Sequence, residues 1–169
     1  MIKIFTDGSS KGNPGEGGSG VCVYNTQTKT LLRAYSKRYD HITNNQAELY
    51  ALLYALDLAK EDYKDEYCFI YSDSAYCVNT CRDWIWNWER NGWKNSRNKT
   101  VENLEIMKSL FKRLNTPEPN FEIQKIPGHS GEIGNEIADA LATHDTKKFN
   151  KILEENDIEY SLKYFIDNL

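Results

Sequence analysis

The sequence predicts an α/β fold, and three features of its patterning predict it. Residues 2–7 read as a strand by β-forming composition and period-two alternation, and residues 20–24 and 31–36 as two more. A helix signal opening at Thr43 is followed by a strand over residues 67–73, an order that implies a right-handed crossover and parallel pairing. Residues 121–126 alternate again and supply a fifth strand.

In chain order, the first strand reaches Asp7 and is expected to stop there. The following run, Gly8-Ser9-Ser10-Lys11-Gly12-Asn13-Pro14-Gly15-Glu16-Gly17-Gly18, is too rich in Gly and Pro to continue a strand or start a helix. The polar link at residues 25–30 suits a hairpin, so the first three strands form an antiparallel meander. Thr43 is placed to cap the next helix, with Gln46 at the capping-box position and Ala51, Leu52, Ala55, Leu56 and Ala59 as its apolar stripe. A further helix starts at Ser74-Ala75-Tyr76.

Residues 82–99 hold all four tryptophans, interleaved with Arg82, Arg90, Lys94, Arg97 and Lys99. Such a run is read either as core tryptophans under a solvated face or as an aromatic and basic binding segment; Trp84 is expected in the core and Trp93 beneath the loop. An amphipathic helix is expected over residues 101–114 and a last one from about Ile133 to His144. Residues 1–145 thus form one domain, and residues 146–169 a charged extension, helical or partly ordered.

Composition narrows the function classes. With 169 residues, 40% of them hydrophobic and 27% charged, the chain suits a soluble globular protein with a substantial core. No apolar run approaches membrane length and the first residues lack a signal-peptide pattern, so a cytoplasmic protein is expected. The four cysteines contain no Cys-x-x-Cys pair and the three histidines are scattered, which favours buried reduced thiols over zinc ligands. A net charge of −4 argues against a simple nucleic-acid-coating protein but leaves a local basic patch open.

Four acids have a common meeting point on this topology. Asp7 and Asp73 both end strands expected to pair in parallel, where ligands of open α/β sheets gather. Asp beside Gly is also ordinary turn chemistry. Glu48 lies three and four residues before Ala51 and Leu52, on the inward face of the helix between those strands. Asp139 sits on the last helix. Clustered carboxylates repel one another unless cations neutralise them, and oxygen-only ligation suits Mg²⁺. Two such ions would support in-line phosphodiester hydrolysis.

Five motifs in order carry a resemblance. Thr6-Asp7-Gly8-Ser9 with Gly12-Asn13-Pro14-Gly15, Thr43-Asn44-Asn45-Gln46-Ala47-Glu48-Leu49, Tyr71-Ser72-Asp73-Ser74, Gly128-His129-Ser130-Gly131, and Asn135-Glu136 with Ala138-Asp139-Ala140-Leu141-Ala142 resemble the type I ribonuclease H family over residues 2–142. The likeness implies a ribonuclease H-like α/β fold with a five-stranded mixed sheet, three antiparallel then two parallel strands, flanked by helices. It implies two-metal hydrolysis of the RNA strand of RNA–DNA hybrids, leaving 5′-phosphate and 3′-hydroxyl ends.

By the same resemblance Asp7, Glu48, Asp73 and Asp139 match the metal-binding acids, with two Mg²⁺ ions bound alongside substrate and Mn²⁺ as an alternative. His129 matches a histidine of proton handling or product release. Ser9, Ser10, Lys11, Asn13, Asn44, Asn45 and Gln46 would read the hybrid's minor groove, where 2′-hydroxyls are displayed. Without the likeness, those Asn and Gln residues read equally as loop and capping polarity. Thr43 and Asn103 match a pocket for a DNA phosphate, and Trp88 and Ser96 match positions of the DNA-strand channel. His41 departs from the Arg that close relatives often carry beside that pocket. A monomer acting on the hybrid is expected. Other readings are a nuclease-dead hybrid-binding module and a DNA-cutting recombinase-type nuclease; retention of all four acids and the Asn44-Asn45-Gln46 set oppose them.

Overall fold

Alternation along β1 (Ile2–Ser10) sends Ile2 and Ile4 to one face of the sheet and Phe5 and Asp7 to the other. β1 pairs antiparallel with β2 (Gly15–Asn25), and β2 antiparallel with β3 (Thr30–Ile42). On its other side β1 runs parallel to β4 (Cys68–Ser72), which runs parallel to β5 (Phe121–Lys125). The order β5-β4-β1-β2-β3 is the expected mixed sheet of three antiparallel and two parallel strands. Two short strands, β6 (Glu159–Tyr160) and β7 (Ile166–Asp167), add to the far edge of β3. The structure, a computed structural model, describes residues 1–160 and the backbone of residues 166 and 167.

Helices cover both faces. α1 (Asn44–Asp57) begins at Thr43, whose side chain accepts from the Gln46 amide while the Gln46 side chain accepts from the Thr43 amide, the expected capping box. It continues through a π-helical turn, Leu58–Asp62. α2 (Ala75–Asn79) is capped by Ser74 and joined through a second π-helical turn, Thr80–Trp84, to α3 (Ile85–Arg90). With α4 (Leu104–Leu114), these bury Leu49, Leu52, Leu56, Ile85, Met107 and Leu110 against Ile4, Val21 and Ile70. The opposite face packs Phe5, Cys22 and Tyr24 under α5 (Ile133–Ala142) and α6 (Thr146–Glu155) through Ile137, Leu141 and Phe149. All four cysteines are buried free thiols.

Several local expectations are corrected. β1 runs on to Ser10 and β2 starts at Gly15, so the glycine-rich loop shrinks to residues 11–14. Gly8, Gly17, Gly18 and Gly20 serve close packing instead of turning. A Cβ on Gly20 would lie 2.2 Å from the Ala138 carbonyl oxygen, so its absence lets α5 lie directly on β2. α4 starts at Leu104 and not at Val101, because Asn103 before it is left-handed with φ 57°. Trp84 is 40% exposed. The extra residue of the π-helical turn shifts the inward face, so that Ile85 enters the core and Trp84 turns out against Tyr76 and Trp88. Trp93 packs edge-on to Phe111 beneath the loop, as expected.

Substituting Gly20→Ala forces α5 off the sheet. The variant is expected to lose about 1–3 kcal/mol in equilibrium urea unfolding, the usual cost of overpacking.

Candidate active site

The carboxylates converge through register. Thr6 pairs with Ser72 in the parallel β1–β4 ladder, so Asp7 and Asp73 stand one step beyond, side by side. Asp7 pairs across β2 with Gly20, the position on which α5 rests, so its side chain faces α5 and Asp139. Glu48 arrives from the other face. A Cβ on Gly8 would lie 2.3 Å from the Glu48 nitrogen, so a bare backbone at Gly8 lets the first turn of α1 close on the strand. Asp7, Glu48 and Asp73 each offer an oxygen within 4.8 Å of the others. Asp139 lies outside that three-way set but within hydrogen-bonding reach of Asp7.

Burial makes this cluster electrostatically costly. Asp7 is 6% and Glu48 9% exposed. Burial, then the Asp73 charge, pushes the Asp7 carboxyl up to about 8. Burial, then Asp7 and Asp73, pushes Glu48 well above the usual carboxylate range. Asp73 is raised less: burial is opposed by the His129 charge and reinforced by Asp139. Glu48 Oε2 is buried with no hydrogen-bond partner among the described residues. An orphaned carboxylate oxygen aimed into a set of carboxylates fits a hard divalent cation, which takes oxygen ligands and removes the repulsion.

His129 sits on the exposed loop after β5 with φ 53°, and that loop passes close to Asp73: a Cβ on Gly128 would lie 3.3 Å from Asp73 Oδ2. Among the proposed substrate contacts, Ser10, Asn13 and Asn44 form one hydrogen-bonded patch. The Ser10 amide donates to Asn44 Oδ1 at 2.7 Å, and the Asn44 amide donates to Asn13 Oδ1 at 2.8 Å. Thr43, Asn44, Asn45, Asn13 and Asn103 line one concavity beside it, and Gln46 Nε2 donates to Asn103 Oδ1 at 3.0 Å. Ser9 is half-buried on β1, and Lys11 is exposed beside Glu16. Trp88 is half-buried against the core and 6.1 Å from Trp84. Ser96, on an exposed turn, shares no hydrogen bond with this group among the described residues, and His41 is exposed at the end of β3.

The RNase H family model matches residues 1–147. The chain belongs to the ribonuclease H family. Ribonuclease HI of Haemophilus influenzae is 43% identical over 145 residues, covering 84% of this chain and 87% of its own. Ribonuclease H of Legionella pneumophila is 39% identical over 142 residues, covering 83% and 93%. Among solved structures, LC9-RNase H1, a type 1 RNase H with the type 2 active-site motif, superposes with a TM-score of 0.72 at 20% identity, covering 95% and 86%, and supports the fold. This chain is accordingly an endoribonuclease with RNA–DNA hybrid ribonuclease H activity, and its family works with divalent metal.

One residue at the site has no counterpart in the sequence reading. Lys148, on α6, places Nζ 2.5 Å from Asp139 Oδ2 and 3.1 Å from Glu136 Oε2. Burial lowers its pKa, but the hydrogen bonds and charges of Asp139 and Glu136 raise it on balance. A lysine in a charged tail, nine residues past Asp139, carries no periodic signal that would have marked it.

The raised Asp7 value has a stability consequence in chelator. Between about 4 and about 8 the unfolded chain has released this proton while the folded cluster retains it, so the folded state loses stability as pH rises through that window. Asp7→Asn is expected to gain melting temperature over the metal-free parent progressively across it, read by thermal denaturation at a series of pH values. A pH-independent difference would contradict the carboxylate crowding.

Proposed function

We propose that residues 1–145 hydrolyse the RNA strand of RNA–DNA hybrids at this acidic cluster, with residues 146–169 as an extension, leaving 5′-phosphate and 3′-hydroxyl ends. The observation that carries the reading is the meeting of Asp7, Glu48 and Asp73 around an oxygen of Glu48 that has no hydrogen-bond partner among the described residues. These three and Asp139 would hold two divalent ions, Mg²⁺ being the one that oxygen ligation and phosphate chemistry favour. When bound, the ions would supply an activated water and stabilise the departing oxygen. The water oxygen forms the new bond to phosphorus and the bond to the 3′-oxygen breaks. His129, on the loop beside Asp73, is suited to pass a proton to the departing oxygen or to ease product exit.

The same reading assigns the neighbouring surface. Ser9, Ser10, Lys11, Asn13, Asn44, Asn45 and Gln46 would lie along the hybrid's minor groove, donating to and accepting from 2′-hydroxyls. Thr43 and Asn103 would take a phosphate of the DNA strand in the concavity they share, with Trp88 and Ser96 along its path. Among the described residues no helix is long and apolar enough to cross a membrane. A monomer working in the cytoplasm fits these assignments.

The test is cleavage of labelled RNA–DNA hybrid, single-stranded RNA, double-stranded RNA and duplex DNA, with Mg²⁺ or chelator. Cutting confined to the RNA of the hybrid and dependent on Mg²⁺ is expected. Asp73→Asn is expected to lose turnover by about 10³-fold or more with unchanged circular dichroism, since it removes a ligand charge at constant shape. His129→Ala is expected to slow turnover by about 10–100-fold, within the range of a lost proton-transfer group. Full activity in Asp73→Asn would defeat the assignment.

A further inference from the structure

Lys148 is built into its position by three local features. Asp145 caps α6 by accepting from the Lys148 amide at 2.9 Å, which fixes the first turn of the helix. Phe149, the next residue, is 4% exposed and anchors that turn in the core beneath α5. The Asp145 amide in turn donates to the Ala140 carbonyl oxygen at 2.9 Å, tying the start of α6 to α5. The lysine side chain is thereby directed along α5, onto Glu136 and Asp139 one turn apart.

This location is unfavourable for a lysine on local grounds. Lys147 and Lys148 occupy the first turn of α6, where the helix dipole disfavours positive charge. The side chain is 31% exposed and the carboxylates it meets are 25% and 26% exposed, so the pair is less screened than an open surface bridge. Asp139 is also the acid whose charge reaches both Asp7 and Asp73. The ammonium therefore stands where it compensates negative charge in the absence of a divalent ion and opposes a second positive charge when one arrives.

We propose that Lys148 is a positioning residue that competes with divalent metal for Asp139: its ammonium holds Asp139 and Glu136 in the metal-free protein and weakens the metal affinity of the site. The inference rests on the reading of Asp139 as a metal ligand. It makes the extension an adjuster of metal affinity as well as packing over the second core.

The experiment uses the full chain, without substrate. Mg²⁺ is titrated calorimetrically into chelator-stripped wild type, Lys148→Gln, Lys148→Met and Lys148→Arg, and thermal melting is followed in chelator and in saturating Mg²⁺. Removing the charge is expected to tighten Mg²⁺ binding by about threefold or more, because a like charge is removed from beside a ligand. Lys148→Gln and Lys148→Met are expected to melt below wild type in chelator, with the gap narrowing in Mg²⁺; Lys148→Arg is expected to stay near wild type in affinity. A merely structural bridge would lower melting equally in both conditions and leave Mg²⁺ affinity unchanged, and that result overturns the proposal. Asp73→Asn serves as the control for the site itself. If wild type shows no Mg²⁺ binding that Asp73→Asn weakens, the metal-site reading fails and this inference with it. Binding that Asp73→Asn weakens but the Lys148 variants do not alter sinks the inference alone.

Discussion

Mutual repulsion among Asp7, Glu48, Asp73 and Asp139 is the constraint on which the rest of the structure depends. Two of them, Asp7 and Glu48, are nearly removed from solvent, and burial together with their neighbours' charge drives both carboxyls toward the protonated form. A fold does not assemble such a set for stability, since one buried carboxylate already opposes folding. The parallel ladder of β1 and β4 aligns Asp7 with Asp73, α1 brings Glu48 from one face, and α5 brings Asp139 from the other. Each approach is rigid, because the acids ride on paired strands and on helices packed into two separate cores.

Missing side chains supply much of that rigidity. Gly8 lets the backbone of α1 touch β1 beside Glu48, and Gly20 lets α5 lie on β2 opposite Asp7. Either contact would be pushed apart by a single methyl group. The same closeness explains why a segment rich in glycine continues as strand: the residues are paired in a ladder, and their bareness is used against the helices above and below. α6 completes the second face, burying Phe149 and directing Lys148 onto Asp139.

Much of the fold was legible because it is written in local rules. Period-two alternation marked β1 and β5, runs of β-forming residues marked β2, β3 and β4, Thr43 and Gln46 marked the start of α1, and the order strand, helix, strand marked β1 and β4 as parallel. Where local rules were applied to the glycine run they misled, since glycine signals a turn and a close contact equally well. Trp84 was misplaced for a comparable reason: a π-helical turn rotates everything beyond it, and no residue type announces one. Asn103 stopped α4 from starting earlier by adopting a left-handed conformation that its type permits without requiring.

The sequence by itself determined the antiparallel start of the sheet, the parallel pairing of the strands that end at Asp7 and Asp73, the Thr43 cap of α1 and the acids that could meet, because these follow from the spacing and type of neighbouring residues. Tertiary structure alone decided how closely the acids meet, that one buried oxygen of Glu48 is left without a hydrogen-bond partner among the described residues, and that Lys148 of α6 reaches Asp139. Those are distances between separately formed elements. They are set by how helices settle on a sheet, which depends on the absence of side chains at Gly8 and Gly20 and on Phe149 as an anchor, and no local pattern in the chain encodes them.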